Sequence, residues 1–327
     1  MKKFLSLLLV VAMLGALLIG CTGPEESKAE ERLPNFMVMS GPTGVGAAKL
    51  LADQDAAAEG SKVLASGTVV ADNTAVTSAL INGEADIAAI ATNMAATLYQ
   101  KLDGDLQVLA INTLGVLYIL EKGNSVNSIQ DLQGKTLYAT GKGANPEYIL
   151  DHLLSANGVV DVNIQWMTAQ EVTAAMTTAE EAICMLPVPA ATALMIKDTG
   201  VRQAISLSEE WDKLGYGALA QGCIVARRSY VEENPNAVAA FLAAYEASLN
   251  FMKAEENRSQ AAELVAQYGI TANAAIAAKA IPQCNLTFVT GLEMREMLLW
   301  FLQVMYTANP ASIGNAMPQD DFYYGLG

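Results

Sequence analysis

The stretch SIQDLQGKTLYATGKGANPE, residues 128–147, carries the alternation on which the reading of this chain turns. Ser128 to Leu132 reads as a short helix, Lys135 to Ala139 as a strand, and Thr140-Gly141-Lys142-Gly143-Ala144 as a loop punctuated by glycine. The helix that follows has a clear start: Asn145 is suited to cap it, Pro146 to its first turn and Glu147 to its dipole, and Gly158 ends it. Ile149, Leu150, Leu153 and Leu154 fall on one face, as a helix lying on a sheet requires.

The same scheme repeats outward in both directions. Upstream, Asn35 to Met39 reads as a strand, Ser40 to Gly46 as a loop and Ala47 to Glu59 as a helix. Extended pieces at Lys62 to Leu64 and Gly67 to Val70 lead to Asp72 or Asn73 as a cap and a helix from Ala75 to Ile81. Strand Ala85 to Ile90 then meets Asn93, a cap for the helix Met94 to Lys101. Strands Leu106 to Asn112 and Gly115 to Glu121 complete this half. Downstream come strand Val162 to Trp166, a capping box at Thr168 to Glu171, strand Ala182 to Leu186, and a helix ending at Lys197. Strand Cys223 to Ala226 precedes helices at Pro235 to Ala254, Ser259 to Tyr268, Ala272 to Ala280 and Leu292 to Tyr306. Short β-type runs alternating with Ala-rich helices predict an α/β fold.

Open parallel sheets bind ligands beyond the carboxyl ends of their strands, which singles out three loops: Ser40 to Gly46, Ala91 to Asn93 and Thr140 to Asn145. Each sets backbone N–H groups and a hydroxyl or amide at a helix start, where an anion or a strong hydrogen-bond acceptor is favoured. A glycine loop such as Ser40 to Gly46 also serves as a plain tight turn, and both readings stand at this point.

The N-terminus reads as an export signal: Met1-Lys2-Lys3 is basic, Phe4 to Ile19 is apolar apart from Ser6 and Gly15, and Gly20-Cys21 follows. The apolar run falls short of the roughly 20 residues that span hydrocarbon, so a cleaved signal is expected rather than a membrane-spanning anchor. Residues 22–32, TGPEESKAEER, have the composition of a tether. The folded body is therefore expected from Leu33.

Across the chain 19 basic residues stand against 34 acidic ones, and removal of Lys2 and Lys3 leaves 17 against 34. Such a surface repels phosphate backbones, and no nucleic-acid partner is expected. With Cys21 set aside, Cys184, Cys223 and Cys284 lie in apolar contexts, as buried thiols or with one disulfide among them. His152 is the single histidine, on a helix face, and neither HExxH nor CxxC occurs. No metal or cofactor is expected, and no catalytic residue is assigned.

At four places the residues resemble a known family. Leu18-Ile19-Gly20-Cys21 is similar to a lipobox, and a strand runs into Gly41-Pro42-Thr43-Gly44. Asn82-Gly83-Glu84-Ala85-Asp86-Ile87-Ala88 is similar to a G-x-A-D strand start, and Asp131-Leu132-Gln133-Gly134-Lys135 to a D-L-x-G-K turn that opens a second lobe. Together they resemble the periplasmic-binding-protein-like type II solute receptors of ABC transporters, in the group of aliphatic-sulfonate and thiamine-pyrimidine-precursor receptors.

The resemblance implies a two-lobed α/β Venus-flytrap fold with a ligand cleft between the lobes. Lobe 1 would hold residues 33–113 and 222–327 and lobe 2 residues 114–221, with crossings near Asn112 to Gly115 and Gln221 to Cys223. It places ligand contacts at Ser40, Gly41, Pro42, Thr43, Gly44, Thr92 and Asn93 of the first lobe. From the second it draws Thr140, Gly141, Lys142, Asn145, Pro187 and Pro189. Where the family often has Glu-Pro, this chain has Leu186-Pro187-Val188-Pro189, so an amine paired with that carboxylate is disfavoured. Tyr118, Trp166, Trp211 and Tyr216 are aromatics for either stacking or the core, and Lys142 is either an anion partner or a solvated lysine.

The implied function is non-enzymatic: an extracytoplasmic monomer held at the bacterial membrane through a lipid on Cys21 captures a small neutral or anionic organic solute and delivers it to an ABC permease. Two other functions fit the same cleft. One is a ligand sensor docking on a membrane signalling receptor. The other is an enzyme similar to the pyrimidine-precursor synthases, against which the absence of their histidine and cysteine cluster counts.

Overall fold

The computed structural model describes residues 31–71 and 73–326. The expected export signal, Cys21, most of the expected tether and the cap candidate Asp72 lie outside the described residues. Arg32–Gly327 forms one compact unit. Arg32, expected in the tether, is instead fastened to the body: its guanidinium makes paired 2.7 Å bonds to the buried Asp86 carboxylate, and its backbone N–H donates to Asn234 Oδ1 at 2.7 Å. No helix among the described residues is long and apolar enough to cross a membrane.

The described strands are β1 (Asn35–Met39), β2 (Ser66–Val70), β3 (Ile87–Ala91), β4 (Gln107–Thr113), β5 (Leu117–Lys122), β6 (Thr136–Ala139), β7 (Asn163–Trp166), β8 (Ala182–Pro187), β9 (Val201–Ser206), β10 (Gly222–Ala226) and β11 (Leu286–Val289). They form two sheets, ordered β11-β4-β10-β3-β1-β2 and β7-β6-β8-β5-β9. The chain leaves the first sheet after Thr113, enters the second at Leu117, and returns at Gly222. The fold is the two-lobed α/β arrangement expected from the sequence.

The sheets are mixed rather than parallel. β10 runs antiparallel to both β3 and β4, and β5 antiparallel to β8 and β9. Geometry forces this reversal: Gly222 opposes Thr113, so a strand that re-enters where β4 left must run back along it.

Local chemistry accounts for most boundaries. Thr168 caps helix Ala169–Thr178 in a capping box with Glu171, and Ser128 and Asp131 form the same device before the 3₁₀ turn Ile129–Leu132. Residues 62–64 are not a strand, because the Val63 and Leu64 N–H groups donate to the Gln54 side-chain carbonyl instead of a neighbouring strand. Within the loop expected at Ser40 to Gly46 lies a helical turn, Pro42–Val45, and the long helix follows at Ala48–Ala56.

Asn93 and Asn145, expected as caps, do not serve as such. Helix Thr92–Lys101 begins before Asn93, and helix Asn145–Ala156 begins at Asn145 with Ala144 in the cap position. Both side chains have long-range partners, given below.

Phe36 of β1 packs against Phe241 and Tyr245 of helix Pro235–Lys253, with ring centroids 5.1 and 6.0 Å away. A second aromatic cluster joins Trp211, 1% exposed, to Tyr216, His152 and Phe301 at 5.2, 5.5 and 5.9 Å. Burial of each such side chain contributes about 1.5–3 kcal/mol.

Candidate functional site

The strand ends that the crossings bring together leave a cleft between the two sheets. It comprises a cavity of about 190 Å³ and another of about 440 Å³, which share Met39, Ser40, Pro42 and Pro187. The smaller lies over the crossing strands and reaches Thr43, Thr113, Val116, Leu117 and Gln221. The larger extends to Gly41, Val188, Pro189 and Ile270, and falls within the roughly 300–1,000 Å³ of small-molecule sites.

Helix Pro235–Lys253 supports the floor from below. The Tyr245 hydroxyl donates to the Thr43 carbonyl at 3.4 Å and accepts from Asn112 Nδ2 at 2.9 Å, and Ser248 Oγ donates to the Gly46 carbonyl at 2.7 Å. Burial pushes the Tyr245 hydroxyl far above its ordinary pKa, so it remains a donor. Gly41 holds φ at +114°, and a Cβ on Gly44 would sit 2.4 Å from the Met39 carbonyl oxygen. The glycines of this loop therefore have a structural cause beside any ligand.

Of the residues proposed from sequence, Ser40, Gly41, Pro42, Thr43, Gly141, Asn145, Pro187 and Pro189 line the cleft. Gly44 is packed beneath it, and Thr140 and Thr92 line neither cavity. Asn93 and Lys142 line a separate cavity together with Lys101 and Tyr148. Lys142 is exposed there.

Thr92, Asn93 and Asn145, all at most 2% exposed, are bonded largely to protein groups. Asn145 Nδ2 donates to the Gln221 carbonyl at 2.8 Å and to Thr92 Oγ1 at 3.3 Å, while Asn145 Oδ1 accepts from the Asn93 N–H at 3.4 Å. Thr92 Oγ1 donates to the Ala220 carbonyl at 2.7 Å, and Asn93 Nδ2 to Ser312 at 3.2 Å. A second bridge lies toward the larger cavity, where Thr192 Oγ1 donates to Gln283 Oε1 at 3.2 Å. Polar groups on both sheets' lobes thus tie the walls together on either side of the cleft.

The aromatics considered for stacking are elsewhere. Tyr118, Trp166, Trp211 and Tyr216 all pack into the core and line neither cavity. His152 lies among Trp211 and Tyr216, where burial lowers its pKa. Cys184, Cys223 and Cys284 are free buried thiols. Among the described residues, no cluster of His, Cys, Asp or Glu is placed to hold a metal ion.

Sequence reasoning missed Met39, Thr113, Val116, Leu117, Gln221 and Ile270 as cleft residues. Thr113 and Gln221 had a signal, since they fall at the expected crossings, and a crossing between sheets passes beneath any cleft between them.

Comparison with known proteins agrees with this architecture. Residues 106–259 match the family model described as NMT1/THI5 like. Among curated proteins, none matches the sequence of the chain. Solved structures share the fold: an ABC transporter protein from Parabacteroides distasonis superposes with a TM-score of 0.74 at 23% identity, over 89% of this chain and 98% of that one. The periplasmic aliphatic sulphonate binding protein SsuA of Escherichia coli does so with a TM-score of 0.73 at 17% identity, over 91% and 94%. The alkanesulfonate-binding protein SsuA of Xanthomonas axonopodis pv. citri, bound to MOPS, gives 0.65 at 16% identity, over 88% and 96%. The fold is that of the periplasmic-binding-protein-like type II class. The NMT1/THI5-like match and the sulfonate-binding names among these structures agree with the group that the sequence resembles.

Proposed function

We propose that this chain is a solute receptor of an ABC importer, a lipoprotein anchored outside the cytoplasm through Cys21. Residues 33–113 with 222–327 and residues 114–221 form its two lobes. The observation that carries this reading is the cleft itself: two cavities with shared lining residues over the strands that cross between the sheets, spanned by hydrogen bonds from Asn145 to Thr92 and from Thr192 to Gln283. Opening admits a solute, closure excludes water from it, and the closed form is what a membrane permease recognises. Capture and release need no covalent step. The fold shared with binding proteins such as SsuA of Escherichia coli supports the reading.

A thermal-shift screen tests it on the body from Glu31 onward, against sulfonates, vitamin precursors, nucleobases, amino acids and aromatic acids. A solute at a hundred times its dissociation constant stabilises the fold by about 2.7 kcal/mol. Thr43→Ala is expected to weaken a true hit. A complete absence of saturable shifts would overturn the receptor reading.

A further inference from the structure

We propose that the cleft takes an uncharged organic solute with an apolar body and a single hydrogen-bonding head, and that the head meets the Thr113 hydroxyl. This rests on the receptor reading above and narrows its ligand.

The walls come first. Met39, Pro42, Val116, Leu117, Pro187 and Ile270 supply apolar surface, and among the described residues lining the two cavities none is charged. An ion enclosed there loses its hydration without a counter-charge, which is strongly unfavourable. Lys101 and Lys142, the lysines at this end of the molecule, line the separate cavity beside Asn93.

Backbone donors decide the second step, since an anion can also be held by N–H groups alone. Several of those donors are spent. In the Ala91 to Asn93 loop the Thr92 N–H goes to the Gln221 carbonyl at 3.2 Å and the Asn93 N–H to Asn145 Oδ1. At the start of helix Asn145–Ala156, Pro146 has no N–H and the Glu147 N–H goes to the Ala144 carbonyl at 3.1 Å. Glu147 also places its own carboxylate in that first turn, accepting the Gly143 N–H at 2.5 Å. The negative charge that this helix end favours is thus supplied by the protein.

Among the described residues, one buried side-chain polar atom without a partner lies in the cavity lining. Thr113 lines the smaller cavity, is 1% exposed, and its Oγ1 has no hydrogen-bond partner. A buried hydroxyl left in that condition is disfavoured, and a neutral amide, carbonyl or hydroxyl on a solute satisfies it as donor or acceptor. The larger cavity, which shares Met39 and Pro187 with the smaller, accommodates the apolar remainder.

The test uses matched probes that share a body and differ in the head: benzamide, benzoate and benzenesulfonate, and hexanamide, hexanoate and hexanesulfonate, by calorimetry and thermal shift on the body from Glu31. The amides are expected to bind at least tenfold more tightly than either anion. Thr113→Val is expected to weaken the amides about tenfold, and Thr113→Ser, which keeps the hydroxyl, to retain them. Anions binding as tightly as amides, with binding lost on Thr43→Ala, would overturn the uncharged ligand and leave the receptor reading intact. Amide binding unaffected by Thr113→Val in a folded variant would overturn the assignment of the head. Saturable binding by none of the six would overturn this inference, and a blank in the wider solute screen as well would remove the receptor reading with it.

Discussion

The Asn145 side-chain amide donates to the Gln221 carbonyl oxygen at 2.8 Å, joining the start of a helix on the second sheet to the segment by which the chain returns to the first. The same side chain also engages Thr92 and the Asn93 N–H, so a single residue holds two groups of the opposite lobe as well as the returning segment. Asn145→Ala removes all three bonds at once and leaves their partners buried. Each orphaned group costs about 1–3 kcal/mol unless water reaches it, so the lobes are expected to part and admit water. The expected outcome is a lower melting temperature together with a larger radius of gyration by small-angle scattering. A lower melting temperature at unchanged radius would mean that Asn145 stabilises its own helix rather than the closed arrangement.

Gly222 is where Thr43, Asn112 and Thr113 converge. A Cβ there would lie 2.7 Å from Thr43 Cγ2, 2.8 Å from Asn112 Oδ1 and 3.0 Å from Thr113 Cβ. Gly222→Ala therefore overpacks the cleft floor, and about 1–3 kcal/mol of destabilisation is expected by denaturant titration. Gly60→Ala is the control, since nothing lies within 4 Å of a Cβ there. Equal midpoints for the two variants would show that the floor can yield.

What could be read from the sequence followed the reach of each signal. The capping box at Thr168 acts within four residues and was legible. Asn145 was legible as a polar residue at a helix start, but its role depends on Gln221, 76 residues away, which no local pattern contains. β9 and β11 went unread: both are edge strands, β11 has only four residues, and β9 carries Arg202 and Gln203 on its half-solvated surface, which blurs the alternation that marks a strand. The cleft loops at Ser40 and Thr140 were found through their glycines. The apolar walls, Val116 and Leu117 among them, look like any strand residue until the lobes are assembled.

Glu121 gives a pH prediction. Its side chain is 2% exposed, and burial alone would push its pKa up, but bonds from the Ser125 hydroxyl and N–H, the Val126 N–H and Arg202 more than offset this and hold it below its ordinary value. A pKa lower in the folded than in the unfolded chain contributes stability above the unfolded value, and that contribution is lost as pH falls through the folded value. Glu121→Gln should therefore be destabilised at neutral pH, and its deficit relative to the parent should shrink as pH falls below the ordinary range for glutamate. Chemical denaturation at a series of pH values measures this, and a constant deficit across the series would exclude Glu121 as a source of acid sensitivity.

The three thiols of the body should be chemically silent while it is folded. Cys184, Cys223 and Cys284 are all fully buried, and burial pushes their pKa values up, to about 12 for Cys184 and Cys284. The thiolate is the form that alkylates, so at pH 8 both access and ionisation oppose reaction. Cys223 is on the central strand β10 of the first sheet and Cys184 on β8 of the second, so exposing either requires its sheet to open. Iodoacetamide applied to the body from Glu31 is expected to leave its mass unchanged in buffer and to add three groups in urea. Labelling of Cys184 ahead of Cys223 at intermediate urea would show that the second sheet opens before the first. Simultaneous labelling would show that the two lobes unfold as one cooperative unit, the behaviour expected if the bonds from Asn145 to Thr92 and Asn93 couple them.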